Sequence, residues 1–356
     1  MTTTDLQTRI ARLHEALAER ILVLDGSWGV LIQNKGLSEA DFRGGRFADW
    51  PSDLKGNADV LNLSRPDFVR DIHLEYFEAG ADIATTNTFT ATSISQGEYG
   101  LQEYGAEMNE AGARLAREAA DTLQAADGRQ RWVAGCLGPT NRTASISPDA
   151  ADPAARSITF DELRETYREV TRALIAGGAD ILMVETIFDT LNGKAAIYAI
   201  DEVFEEDGVT LPIWISGTIT DLSGRTLTGQ TTEAFWTSIK HARPFAVGLN
   251  CSLGPEQLRP YVAELARVAD VPVSAHPNAG LPNAFGGYDL GPDDMARPLA
   301  EWSRDGLLNI VGTCCGSTPE HTRVLVEAVR GVPPRTVPEP EPVMILSGLE
   351  AVRVGR

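Results

Sequence analysis

The stretch Leu308-Asn309-Ile310-Val311-Gly312-Thr313-Cys314-Cys315-Gly316-Ser317-Thr318-Pro319 decides how the rest of the chain is read. Residues 308–312 are a short apolar run with the length and composition of a strand buried on both faces. The run stops at two adjacent cysteines. Thr318 then offers an N-cap and Pro319 a first helical residue, so a helix is expected over residues 319–329. Strand, polar loop and helix together make one βα unit, with chemistry-bearing residues at the strand's C-terminal end.

Outward from that unit, the same period recurs. Apolar runs at 21–25, 81–86, 132–137, 180–185, 213–217, 246–250 and 271–276 are rich in Val, Ile and Leu without strict alternation. Helical patterns follow them at 66–79, 98–123, 160–176, 191–206, 232–241, 255–268 and 292–303. Eight such units predict an α/β fold, a (β/α)8 TIM barrel over residues 21–331. A short N-terminal helix over 1–20 is expected before it, with Leu6, Ile10, Leu13 and Leu17 on one face. Residues 29–64 form an insertion after the first strand, where barrel insertions lie over the substrate entrance. Beyond residue 331, Pro333, Pro334, Pro338, Pro340 and Pro342 read as a semi-rigid linker; residues 332–356 comprise this linker and the start of a following module.

Composition narrows the partners. The chain of 356 residues is 43% hydrophobic and 23% charged, with a formal net charge of −19. Such a surface repels phosphate backbones, which argues against nucleic acid. No segment reaches the ~18 apolar residues of a membrane span, and residues 1–20 lack a signal-peptide core, so a cytoplasmic protein is expected. Four cysteines, two of them adjacent, do not form a disulfide framework and point to metal binding or catalysis.

The strand ends carry the candidate site. The first ends in Asp25-Gly26-Ser27-Trp28-Gly29, the second in Thr86-Asn87-Thr88, the fourth in Glu185, the sixth in Asn250-Cys251 and the eighth in Cys314-Cys315. Cys251, Cys314 and Cys315 at one barrel mouth match a three-thiolate zinc site with an open fourth position. The alternative makes Cys251 and Cys314 small buried hydrophobes; their placement at two strand ends favours metal. Cys136, ending the third strand, is expected to stand aside, because a fourth protein thiolate would close the site. Asp25 and Glu185 suit an ammonium group. Otherwise Asp25 is a turn residue and Glu185 the partner of a barrel arginine. The turn at Gly26 and Ser27 offers backbone N–H groups to a carboxylate, and Asn87 and Asn250 are further substrate-binding candidates. No G-x-G-x-x-G follows the first strand, and residues 224–229 lack the Gly-Lys-Ser/Thr of a phosphate loop. His73 and His241 read as packing or surface residues, and His276 as a weaker pocket candidate.

From about residue 21 to 335 the sequence resembles the homocysteine-binding module of cobalamin-dependent methionine synthase. The likeness rests on Leu24-Asp25-Gly26, Asp41-Phe42-Arg43-Gly44, Asn87-Thr88-Phe89, Gly138-Pro139-Thr140-Asn141-Arg142-Thr143 and Glu185-Thr186-Ile187-Phe188-Asp189-Thr190. It continues through Ser216-Gly217-Thr218-Ile219-Thr220-Asp221, Gly248-Leu249-Asn250-Cys251, Ala275-His276-Pro277-Asn278-Ala279-Gly280 and Cys314-Cys315-Gly316. The resemblance implies one zinc ion on Cys251, Cys314 and Cys315, with homocysteine as methyl acceptor. It places the amino group on Asp25 and Glu185, and the carboxylate on the Gly26–Ser27 backbone. The methyl donor it implies is methylcobalamin, fed by methyltetrahydrofolate, with cobalamin- and folate-binding modules acting in cis or in trans.

The sequence departs from that family at Ser27, where glycine is usual, and at Thr313, where the loop often reads Gly-Gly-Cys-Cys-Gly. No Asp-x-His-x-x-Gly cobalamin motif occurs, and residues 345–350 resemble the junction to the folate module. An excised module or one piece of a split enzyme is therefore expected. Relatives that use betaine or S-methylmethionine share the zinc cysteines. The stretches 140–149 and 218–229 nevertheless resemble methionine synthase more closely. A non-catalytic barrel that binds zinc and homocysteine is the reading from another class.

Overall fold

Strands made of Val, Ile and Leu can bury both faces, and here they do so around a ring. The computed structural model describes residues 3–283, 287–340 and 342–355; residues 1 and 2 of the expected N-terminal helix and 341 and 356 of the expected linker lie outside these. The strands of the ring are β1 (Leu22–Val23), β2 (Ile83–Thr85), β3 (Trp132–Leu137), β4 (Ile181–Ile187), β5 (Ile213–Gly217), β6 (Ala246–Asn250), β7 (Val273–His276) and β8 (Ile310–Val311). They pair in parallel in the order β1-β8-β7-β6-β5-β4-β3-β2, and a parallel bridge from Leu24 to Ile83 joins the two ends. A helix follows each strand on the outside, giving the (β/α)8 barrel anticipated from the sequence.

Two local differences have clear causes. The helix expected from residue 98 begins instead at Gly105 and runs to Asp127, because Gly100 turns left-handed (φ 71°) and ends a short 3-10 turn before it. β4 runs past its expected end at residue 185, and its register against β5 shifts between Val184 and Ile187. Glu185 and Thr186 thus form a bulge, a device that re-aims side chains at a barrel rim.

The bottom of the barrel is closed by the helix Thr3–Glu19. Leu13 and Leu17 pack there with Leu22, Trp132, Ile181, Trp214 and Ile310. Arg9 and Arg117 reach the buried Asp180 at 2.6 and 2.8 Å, and Asp180 also accepts the Val133 N–H. The mouth is covered by the insertion after β1. Its own core of Leu31, Phe42, Leu54 and Leu61 packs on the helix Pro66–Glu78 through Phe68 and Ile72.

After the barrel, the Arg335 guanidinium binds the carbonyls of Ala266, Ala269 and Val271, which ties residue 335 to the barrel wall. Residues 344–354, read from the sequence as part of a following module, form an antiparallel hairpin of β9 (Met344–Ser347) and β10 (Ala351–Val354). The hairpin sits on the helix Thr232–Ile239: Ser347 Oγ donates to the Ala234 carbonyl at 2.7 Å, and Thr231 N–H donates to Leu349 at 3.0 Å.

Candidate active site

The strand ends converge on a cavity of about 330 Å³ at the mouth of the barrel. Asp25, Gly26, Ser27, Asn87, Glu185, Cys251, Cys314 and Cys315 all line it, as does His276. Asn250 is not among its lining residues.

The three thiols form one cluster. Their sulfurs all lie within 4.8 Å of one another, with Cys251–Cys315 at 3.8 Å and Cys314–Cys315 at 4.0 Å. Among the described residues no other group of three Cys, His, Asp or Glu donors is so arranged. A tetrahedral ion with Zn–S bonds of about 2.3 Å requires sulfurs about 3.8 Å apart, so the donor set fits zinc. Without a cation, three sulfurs this close cannot all be anionic. Hydrogen bonds from Cys251 and Cys314 hold the Cys315 thiol well below the usual range. Hydrogen bonds with Cys251 and Cys315, together with burial, push Cys314 well above it.

Backbone strain delivers Cys251 to this cluster. Cys251 and Ser252 have φ of 60° and 58°, and Thr186 in the neighbouring bulge has 55°. Non-glycine residues enter this region at a cost of ~1–2 kcal/mol each. The supports are specific. Asn250 Oδ1 accepts the Thr186 N–H at 3.2 Å and the Ser216 hydroxyl at 2.7 Å, while its Nδ2 donates to Thr186 Oγ1 at 2.8 Å. Thr218 Oγ1 donates to the Asn250 carbonyl, and Cys251 N–H to that of His276. The Asn250 amide is thus engaged within the scaffold, and its part in the site is to hold the strained rim. The Asn87 amide likewise donates to the Ala58 carbonyl at 2.8 Å and to Asn62 Oδ1 at 3.1 Å.

Across the cavity stand the carboxyl groups of Asp25 and Glu185, with that of Asp59 further along the wall. Asp25 is 1% exposed; its oxygens accept the Thr85 N–H at 2.9 Å and the Thr85 hydroxyl at 3.1 Å. Burial, with a smaller contribution from nearby Glu185, raises Asp25 well above the usual carboxylate range. Glu185 Oε1 accepts from the Cys136 thiol at 2.7 Å, and its Oε2 lies 3.8 Å from His276 Nε2. Among the described residues neither carboxyl pairs with lysine or arginine, so the arginine partner considered for Glu185 is not found. Asp25, fully buried, and Glu185, with its side chain 11% exposed, thus stand at the cavity without a lysine or arginine partner.

Beside them, the turn at Gly26 is clamped from both sides. Tyr76 Oη donates to the Ser27 carbonyl at 2.7 Å, and Ser27 N–H donates to Ser317 Oγ at 3.0 Å. A Cβ on Gly26 would stand 2.6 Å from Ser317 Oγ, so only glycine fits. Sequence reading passed over Tyr76, Ser317 and Thr85, because each touches the site through a neighbour in space and belongs to no local motif.

The comparisons with known proteins agree with this geometry. Residues 22–329 match the family model described as homocysteine S-methyltransferase. The metallated form of the homocysteine methyltransferase MmuM from Escherichia coli is 21% identical with a TM-score of 0.67, over 89% of this chain and 98% of that one. Its oxidized form is 21% identical with a TM-score of 0.65, over 86% and 95%. At this identity the two structures show a shared fold.

Proposed function

This chain belongs to the homocysteine S-methyltransferase family, and on that premise we propose that it methylates homocysteine at one zinc ion held by Cys251, Cys314 and Cys315. One observation carries the reading: a zinc-spaced thiol cluster shares one cavity with Asp25 and Glu185, carboxyls that lack a lysine or arginine partner. When bound, zinc would take the substrate sulfur as its fourth ligand and leave it as a thiolate, whereas a free thiol is mostly protonated at pH 7.

The chain's own residues do the rest. Asp25 and Glu185 receive the ammonium, and its charge offsets the penalty that burial places on Asp25. The Gly26–Ser27 turn receives the carboxylate, with Ser317 releasing the Ser27 N–H as it binds. Holding the amino-acid end and the sulfur at once fixes the direction from which a methyl group must arrive. Trp28 and Phe89 on the cavity wall keep water from the sulfur.

The donor we propose is methylcobalamin, recharged from methyltetrahydrofolate. A corrin ring is larger than a cavity of about 330 Å³, so the donor would react from the mouth, where free methylcobalamin can reach the sulfur and a separate module, in cis or in trans, would present it in the working enzyme. A second reading has support in the cavity wall. Asp25, Asp59 and Glu185 with Trp28 and Phe89 would suit a small cationic donor such as betaine or S-methylmethionine. Three free thiols in one cluster persist best in the reducing cytoplasm, where we place the protein.

The test is turnover of homocysteine by the zinc-loaded chain with methylcobalamin, betaine and S-methylmethionine in parallel. Methionine from methylcobalamin alone, lost on chelation and restored by zinc, is expected. Turnover with betaine or S-methylmethionine would move the assignment to that class. Homocysteine binding with no turnover from any donor would make the barrel a binding protein.

A further inference from the structure

Cys136, in β3, stands apart from the thiol cluster, yet it is not idle. Its side chain is 1% exposed, and its backbone is fixed by two threonines in the loop after β2. Cys136 N–H donates to Thr86 Oγ1 at 2.9 Å, and Thr88 Oγ1 donates to the Cys136 carbonyl at 2.8 Å. From this fixed point Sγ reaches Glu185 Oε1 at 2.7 Å. In this bond the thiol donates and the carboxyl oxygen accepts. Burial, and then the charge of Glu185, push this thiol well above its usual range and keep it protonated.

Glu185 needs such a partner. It sits in the β4 bulge, where the ladder does not fix its direction, and its rim neighbour Thr186 is strained. Its other oxygen is 3.8 Å from His276 Nε2, too far for a hydrogen bond, and His276 is itself buried with both ring nitrogens unpartnered. Among the described residues, the Cys136 thiol is therefore the one side-chain hydrogen bond that sets the rotamer of Glu185.

We propose that Cys136 is a positioning residue: its S–H pins Glu185 Oε1 and so turns Oε2 toward the substrate's ammonium. This rests on Glu185 receiving the amino group, as put forward above. It gives the fourth cysteine a role in substrate recognition and none in metal binding.

The test is calorimetric titration of the zinc-loaded protein with two ligands, homocysteine and 4-mercaptobutanoate, the same chain without its amino group. Cys136→Val removes the donor while adding about one methyl group, and should weaken homocysteine roughly 3- to 10-fold. Cys136→Ser keeps a donor and should bind homocysteine within about 3-fold of the parent. Neither should change 4-mercaptobutanoate affinity or zinc content. Equal weakening of both ligands would mean a general packing effect, and unchanged homocysteine affinity in Cys136→Val would mean no role; either overturns the proposal. Glu185→Gln is the control for the reading beneath it. If that variant weakens homocysteine while Cys136→Val does not, only the positioning role falls. If Glu185→Gln leaves homocysteine unaffected, the ammonium assignment falls and the role of Cys136 with it.

Discussion

Thr186, Cys251 and Ser252 hold left-handed backbone at the rim of the cavity, and Asn250 is the residue that most directly keeps one of them there. Its amide makes three hydrogen bonds at full burial, so removing it leaves the strained Thr186 and the Ser216 hydroxyl without partners. Asn250→Ala should therefore lower unfolding free energy by roughly 2–4 kcal/mol, measured by urea titration of the metal-free protein. A variant as stable as the parent would return Asn250 to the substrate-binding role that its place beside Cys251 suggested. The contrast shows what a sequence conveys at this scale. Cys251, Cys314 and Cys315 could be grouped because barrel topology brings strand ends together, whatever their spacing in the chain. Asp25 and Glu185 were legible for the same reason. Nothing local distinguishes an amide that faces the cavity from one that faces its neighbour, so the sequence could not show that the Asn250 amide bonds to Thr186 and Ser216 or that the Cys136 thiol reaches Glu185.

The elements were legible where periodicity alone defines them, and less so where a single residue does. β3, β5 and β6 coincide with the apolar runs at 132–137, 213–217 and 246–250. β1 and β8 keep only two ladder residues each, although flanking residues of those runs still bond to their neighbours, Leu24 N–H to the Val311 carbonyl and Gly312 N–H to that of Ala275. The β4 bulge and the hairpin at 344–354 carried no readable signal. A bulge depends on cross-strand register, and the hairpin gains its footing from the helix Thr232–Ile239, which is remote in sequence. The N-terminal helix was legible as amphipathic, but its anchor was not. Arg9 and Arg117 converge on Asp180 at the closed end of the barrel, with side-chain exposures of 12%, 6% and 0%. Removing the acid leaves two guanidinium groups and the Val133 N–H short of an acceptor. Asp180→Ala should cost about 3–5 kcal/mol in urea unfolding, with homocysteine affinity of the surviving fold unchanged. A loss below ~1 kcal/mol would show the helix to be held by Leu13 and Leu17 packing alone.

The pH response of the whole molecule should be governed by buried groups that are not part of the thiol cluster. His73 is fully buried, both its ring nitrogens lack partners, and it packs edge-on to Trp28 with centroids 4.7 Å apart. Burial lowers its pKa from 6.5 to about 3. Asp59, on the cavity wall, is shifted the other way, from 3.8 to about 6, again by burial first. The unfolded chain takes up a proton at His73 below pH 6.5 and the folded one does not until about pH 3, so this group's stability is full above 6.5 and is lost as pH falls. For Asp59 the folded form binds the proton first, so its contribution is full below 3.8 and is lost as pH rises through 6. The two slopes oppose one another over most of that range, each amounting to about 1.4 kcal/mol per pH unit. His73→Phe removes one slope and leaves the other. Relative to this variant, the metal-free parent should lose roughly 2 kcal/mol between pH 7.5 and pH 5 in urea unfolding. Asp59→Asn should do the reverse, leaving the fall due to His73 unopposed as the solution is acidified. Working without metal keeps proton competition at the cysteines out of the measurement. If the gap between parent and His73→Phe is the same at both pH values, His73 titrates in the folded barrel as it does in the unfolded chain. Its burial against Trp28 would then be opened by solvent often enough to carry a proton beneath the floor of the site.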